Sequence, residues 1–206
     1  MKKDPVILSA KIISGIFNPL LTPTYGIAAA LSWSVLQFVS LKIRINVTMI
    51  VFLLTALIPF MLIYGLSALR LVKSPALAER TERSIPYSAT LLLYIATAIY
   101  LFVARAPHWL CGFMIGGSCA LAIVLVINRW WKISAHGTAT GGLTALAISL
   151  ALRPDTPQPM TWLITATLLV TGLTCTSRLI LNCHTTGQVY AGVANGFINV
   201  FLWSMI

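Results

Sequence analysis

Residues 161–188 read TWLITATLLVTGLTCTSRLILNCHTTGQ. The part that ends at Ser177 carries no charge and is long enough for a helix that crosses a bilayer. Arg178 and His184 then follow within apolar sequence. Charge is costly at such a position and usually serves a function there. The stretch therefore predicts a transmembrane helix that leads into a functional site.

The composition of the whole chain is that of a membrane protein. Of 206 residues, 58% are hydrophobic and 9% are charged, whereas soluble domains carry about 25% charged residues. The apolar segments are too long and too uniform for transmembrane strands. We therefore expect an all-α fold, a polytopic bundle of transmembrane helices.

Apolar spans divide the chain into a short first part and a longer core. The seven spans are Leu20–Leu41, Val47–Leu69, Tyr87–Val103, Trp109–Ile127, Gly137–Leu152, Thr161–Leu179 and Thr185–Trp203. Pro19 and Pro23 predict that the first span is a kinked helix or a re-entrant segment. We thus expect an N-terminal segment with the first span, residues 1–46, and a six-helix core, residues 47–206.

Three connections carry most of the polar residues: 73–87, 128–137 and 177–184. They follow the second, fourth and sixth spans. Because each pair of spans returns the chain to the same membrane face, all three connections should lie on one side. That side would then hold Lys73, Arg80, Arg83, Lys132, Ser134, His136, Ser177, Arg178 and His184.

The residue types on this face suit phosphate chemistry. The chain has 14 Lys and Arg against four Asp and Glu, and clustered cations with few carboxylates bind phosphate well. Histidine can attack phosphorus, and a second histidine can protonate the leaving oxygen. Hard metal ligands are scarce here and the cysteines lack metal spacing, so we expect no metal or other cofactor. The chain also lacks a basic run with interleaved aromatics, so we expect no nucleic-acid partner.

The three connections resemble, in order, the three-part signature of the type-2 phosphatidic acid phosphatase and haloperoxidase superfamily. That signature reads KxxxxxxRP, PSGH and SRxxxxxHxxxD. In this chain the corresponding segments are KSPALAERT at 73–81, ISAH at 133–136 and SRLILNCHTTGQ at 177–188. Thr81 stands where the signature has proline, and Gln188 where it has aspartate. The resemblance covers about residues 47–206.

The resemblance implies two catalytic histidines. His184 would be the nucleophile that accepts the phosphoryl group, and His136 the general acid for the leaving oxygen. The aspartate of the signature orients the nucleophilic histidine. Gln188, one helical turn after His184, could accept a hydrogen bond from the ring but would supply no charge.

The resemblance also implies a set of phosphate-binding residues. These are Lys73, Arg80 and Arg178, with Ser134 adding a hydrogen bond. Arg83, three residues before Pro86, is an alternative to Arg80. Lys132 either joins the phosphate site or extends along the membrane interface.

These features predict a metal-independent integral-membrane phosphatase that forms a phosphohistidine. Its substrate would be a lipid phosphate or diphosphate, such as phosphatidate, phosphatidylglycerol phosphate, a polyprenyl diphosphate or a lipid A type phosphate. Gln188 favours the alternative, a weakly active or inactive protein of the same fold that binds or transports a lipid phosphate. An ion-coupled transporter fits less well, because the spans contain no Asp or Glu.

The membrane side stays open on charge alone, because the excess of Lys and Arg on the motif face includes the phosphate-binding residues themselves. The resemblance implies a site that faces outward, toward the periplasm or a lumen. We expect a bacterial inner-membrane protein whose site faces the periplasm. Nothing in the sequence indicates an oligomeric state.

Overall fold

The computed structural model describes residues 4–73, 77, 79–157 and 159–206. Within these ranges the chain is helical and contains no strand, which confirms the all-α prediction. The α-helices are α1 (Pro5–Ile16), α2 (Thr22–Trp33), α3 (Leu41–Phe52), α4 (Ile58–Ala68), α5 (Ser84–Val103), α6 (His108–Ile127), α7 (Ala135–Ala151), α8 (Thr161–Ile180) and α9 (Thr186–Ser204).

Among the described residues, four helices are long and apolar enough to cross a membrane: Leu41–Ala68, Thr81–Val103, His108–Ile127 and Thr161–Ile180. The first joins α3 to α4 through a π-helical segment, Leu53–Leu57, which ends two residues before Pro59. Large apolar side chains point outward from the bundle, among them Leu92 and Leu169, which are 69% and 62% exposed. A lipid environment would solvate these side chains, so the structure indicates an integral membrane protein.

The predicted first span, Leu20–Leu41, is wrong in its boundaries. The helix α2 ends at Trp33, where Ser34 adopts an extended backbone and its hydroxyl accepts a hydrogen bond from Leu36 N–H at 3.1 Å. A 3-10 turn follows, and α3 begins at Leu41, so residues 42–46 between the first two predicted spans are helical. The ring of Trp33 lies edge-on to that of Trp162 at 4.6 Å, so α2 ends beside the start of α8.

The helices α7 and α9 fall outside the four apolar candidates because both contain many small and polar residues, and α7 has only 17 residues. A Cβ atom at Gly141 would clash with the Val193 carbonyl, and one at Gly196 would clash with the Thr138 carbonyl. Each helix therefore presents a small-xxx-small face that lets the two backbones touch. The helices run parallel, since Ser134 N–H at the start of α7 bonds Gln188 O in the first turn of α9 at 3.1 Å.

Candidate active site

The turn between α8 and α9 brings Arg178 and His184 to one place. Helix α8 ends in a Schellman motif: Cys183 N–H donates to Arg178 O at 3.1 Å, and Asn182 N–H donates to Leu179 O at 2.9 Å. Asn182 takes the left-handed conformation, φ 50°, that this motif requires and that Asn tolerates better than most residues. The chain thus reverses within a few residues, and His184 follows on the cavity side.

A capping box then starts α9. Thr185 N–H donates to Gln188 Oε1 at 3.2 Å, and Gln188 N–H donates to Thr185 Oγ1 at 3.5 Å. Because a backbone N–H can only donate, Gln188 must present its oxygen here rather than its amide nitrogen. The first turn of α9 therefore fixes the orientation of the Gln188 side chain.

That orientation decides which nitrogen of His184 carries the proton. Nδ1 lies 3.1 Å from Gln188 Oε1 and 3.1 Å from Lys132 O, and both oxygens are acceptors. Nδ1 is therefore protonated and Nε2 holds a free lone pair. Burial lowers the pKa of His184 to about 4, against a smaller rise from the Gln188 hydrogen bond. The ring is thus neutral near pH 7 and has an available nucleophilic nitrogen.

His136 lies in the first turn of α7, which Ser134 caps by accepting from Gly137 N–H at 3.2 Å. Its Nε2 is 3.1 Å from the Ser14 carbonyl of α1, so Nε2 carries a proton. The helix α1 reaches this position by packing against α8. A backbone group from the N-terminal segment therefore orients the second histidine.

Arg83 ends the 3-10 turn that precedes α5 and is only 5% exposed. Its Nε–H donates to Leu77 O at 2.9 Å, and its guanidinium carbon lies 6.0 Å from the centre of the Tyr87 ring. Its Nη1 is buried and has no hydrogen-bond partner among the described residues. A buried cationic donor without a partner is unfavourable unless a ligand satisfies it.

A cavity of about 380 Å³ joins these groups. Its polar end is formed by Arg83, His136, Arg178 and His184. Apolar and aromatic side chains form most of the remaining wall: Leu20, Phe60, Ile63, Tyr64, Tyr87, Tyr94 and Leu121. The cavity therefore matches a molecule with an anionic head and an apolar body.

No side-chain carboxylate neutralises the polar end. Like Arg83, Arg178 has a buried nitrogen, Nε, without a partner among the described residues. The four acidic residues of the chain bond elsewhere: Asp4 caps α1, Glu79 pairs with Lys73, Glu82 accepts from Lys73 N–H, and Asp155 pairs with Arg153. The cavity thus keeps uncompensated positive charge next to two histidines.

Three of the predicted phosphate-binding residues point away from the cavity. Lys73 is exposed and its ammonium group pairs with Glu79. Arg80 donates to the Arg129 carbonyl, and its own carbonyl accepts from Asn128. Ser134 is fully buried beneath the first turn of α7.

Of the two candidate arginines of the first motif, Arg83 lines the cavity and Arg80 does not. Lys132 is half-buried beside it, and burial together with the nearby Arg83 guanidinium lowers the pKa of its ammonium group. The cation closest to the role predicted for Lys73 is therefore Lys132.

Some residues of the site were not predicted from the sequence. Ser14 was missed because nothing local links α1 to α7 across more than a hundred residues. Tyr87 and Tyr94 resembled ordinary apolar residues of a span. The position of the Gln188 side chain could have been predicted, because Thr185 and Gln188 have the spacing of a capping box.

No family model, curated protein or solved structure matches this chain. Within the described residues, no group of three or more His, Cys, Asp or Glu side chains is arranged to hold a metal ion. A functional proposal thus rests on the three short motifs and on the chemistry of the cavity.

Proposed function

We propose that this protein is a metal-independent membrane phosphatase, similar to the type-2 phosphatidic acid phosphatases. It would remove phosphate from a lipid phosphate or diphosphate through a phosphohistidine on His184. One observation carries the proposal: a single cavity combines two histidines, an apolar wall and two arginines, each of which has a buried nitrogen without a hydrogen-bond partner among the described residues. Binding a neutral molecule would not require this arrangement.

The arginines supply the binding step. Phosphate oxygens accept hydrogen bonds from the free donors of Arg83 and Arg178, and Lys132 adds a third positive charge at the rim. Guanidinium groups suit this task because their planar donors match a phosphate. The same donors stabilise charge on the equatorial oxygens in the transition state.

The histidines supply the transfer steps. The lone pair of His184 Nε2 attacks phosphorus, the bond from phosphorus to the leaving oxygen breaks, and protonated His136 gives a proton to that oxygen. Water then attacks the phosphohistidine, the P–N bond breaks, and His136 takes a proton from the water. The dianionic substrate favours the protonated form of His136 that the first step needs.

Gln188 can perform one of the two functions of an aspartate at this position, which is to orient the ring of His184. Its oxygen holds the proton on Nδ1 of His184, which leaves Nε2 free. It offers no negative charge to the phosphohistidine, whose ring becomes cationic. We therefore expect turnover that is slower than an aspartate would allow.

The proposal extends to the membrane arrangement. Residues 47–206 would form a six-helix core that spans a bacterial inner membrane, with residues 1–46 as an N-terminal segment. The site would face the periplasm. Labelling of single cysteines with a membrane-impermeant thiol reagent, introduced at the exposed Glu79 and Asp155, would test this side in a background without the native cysteines.

Phosphate release from a panel of lipid phosphates tests the activity. Pure protein in detergent with excess EDTA should release phosphate, and His184→Ala should abolish the release. His108→Ala is the matched control, because His108 is exposed at the start of α6, away from the cavity. Protein that binds the lipids but releases no phosphate from any of them would replace this proposal with a lipid-phosphate binding protein.

A further inference from the structure

A second cavity lies directly beneath the first, in the interior of the bundle. It measures about 70 Å³ and shares Pro19, Tyr94, Leu121 and Ala135 with the wall of the larger cavity. We call it the apolar slot. Its other lining residues include Thr22, Gly117, Thr138 and Ala139.

The surface of the slot is apolar even where its residues are not. Thr22 Oγ1 donates to Asn18 O at 3.1 Å, and Thr138 Oγ1 donates to Ser134 O at 3.0 Å. Both hydroxyl groups are thus engaged by backbone carbonyls of the preceding turn. Water needs two to four polar partners in such a space and would not find them here.

The slot is open because its wall contains small residues, and not all of them are needed for the helices to pack closely. At Gly112 and Gly116 of α6, an added Cβ would overlap the backbone of α9. At Gly117 the nearest atom would be a ring carbon of Tyr94 at 3.9 Å, which is an ordinary contact. A Cβ atom at position 117 would therefore fit without moving a helix, yet the position is a glycine and the space is left open.

We propose that the apolar slot receives the end of one hydrocarbon chain of the substrate, so that the substrate is a phosphate ester with at least one flexible chain. This inference rests on the proposed function of the cavity above it. The slot has room for about two groups of roughly 30 Å³, the volume that one water molecule occupies in the liquid, so the last methylene groups of one chain would fill it. The chain enters past Tyr94, whose hydroxyl donates to Pro19 O at 3.2 Å on the shared wall.

Binding of alkylphosphonates tests the slot without requiring turnover. Affinities of butylphosphonate and dodecylphosphonate would be measured at one detergent concentration for the wild type, Gly117→Leu and Ala139→Leu. Each buried methylene contributes about fourfold in affinity. Because the slot holds about two methylene groups, filling it should reduce the dodecyl-to-butyl affinity ratio by about sixteenfold.

Gly172→Leu is the matched control, because Gly172 is exposed on α8 with nothing near its Cβ position. It should leave the affinity ratio unchanged. Two filling variants guard against a folding defect in one of them, which gel filtration would reveal. If wild type and both filling variants show the same ratio, the slot proposal fails while the phosphate cavity stands. If neither phosphonate binds the wild type, the proposed function fails as well.

Discussion

Replacing Gln188 by aspartate tests the central argument about His184. The Gln188 oxygen lies 3.1 Å from Nδ1 of His184. Removing one methylene withdraws the oxygen by about 1.5 Å, the length of one C–C bond. The new carboxylate would therefore lie about 4.5 Å from the ring nitrogen and would carry a full negative charge.

The effect of the new negative charge on the pKa of His184 lies between two limits. At about 4.5 Å, a charge pair is worth about 1 kcal/mol in water and about 4 kcal/mol at an effective dielectric constant of about 20. Since one pKa unit corresponds to about 1.4 kcal/mol, the pKa of His184 should rise by about one to three units from its value of about 4. The same stabilisation of the cationic phosphohistidine should raise turnover by at least about fivefold.

NMR titration of the His184 ring, with phosphate release measured in parallel, would check both effects. Gln37→Asp is the matched control, because it adds the same charge in the 3-10 turn after α2, at the other end of the bundle. It should shift neither quantity. If Gln188→Asp leaves the pKa of His184 where it is, the contact through Nδ1 is not as argued, and the proposed role of Gln188 is refuted.

Three further predictions concern the arginines, the capping box and pH. Arg83→Ala should weaken phosphate binding by at least about tenfold, because Arg83 lines the cavity. Arg80→Ala should change the Kd by less than about twofold, because Arg80 does not line it. Titration of both variants with a phosphonate would measure the two effects. Thr185→Ala should lower the unfolding free energy by about 1 kcal/mol in thermal melts, through loss of the N-cap bond; an unchanged Tm would contradict the capping box. Folding lowers the pKa of the His184 ring from its ordinary value of about 6.5 to about 4. Between these two pH values the unfolded chain binds a proton at His184 and the folded chain does not. The free energy of unfolding should therefore fall as the pH drops from about 6.5 to about 4. His184→Gln should weaken this pH dependence, and an identical profile would count against a buried neutral ring.

The sequence predicted that residues from distant connections lie on one face, because their placement follows from the number of spans between them. Connections after even-numbered spans must share a face, and the structure indeed gathers Arg83, His136, Arg178 and His184 around one cavity. The apolar run up to Ser177 likewise predicted α8 well. These inferences use only periodicity, length and parity, which are local properties of the sequence.

The remaining features depend on non-local or subtle local geometry. A 3-10 turn of three residues decides that Arg83 rather than Arg80 faces inward, and no pattern in the sequence signals that turn. The break at Ser34 depends on a side-chain hydrogen bond within a sequence that is apolar on both sides. The weak hydropathy of α7 and α9 has its explanation in their mutual packing, which becomes visible only in three dimensions.

The bond between His136 and the Ser14 carbonyl has a practical consequence. The partner is a backbone group, so substituting the Ser14 side chain would leave the acceptor in place, and an alanine scan would pass over it. Displacing α1 would remove the acceptor altogether. An N-terminal truncation or a bulky fusion that shifts this helix should therefore behave as an active-site mutation, although it lies more than a hundred residues before His136. Functional assays should accordingly use protein whose affinity tag lies away from α1.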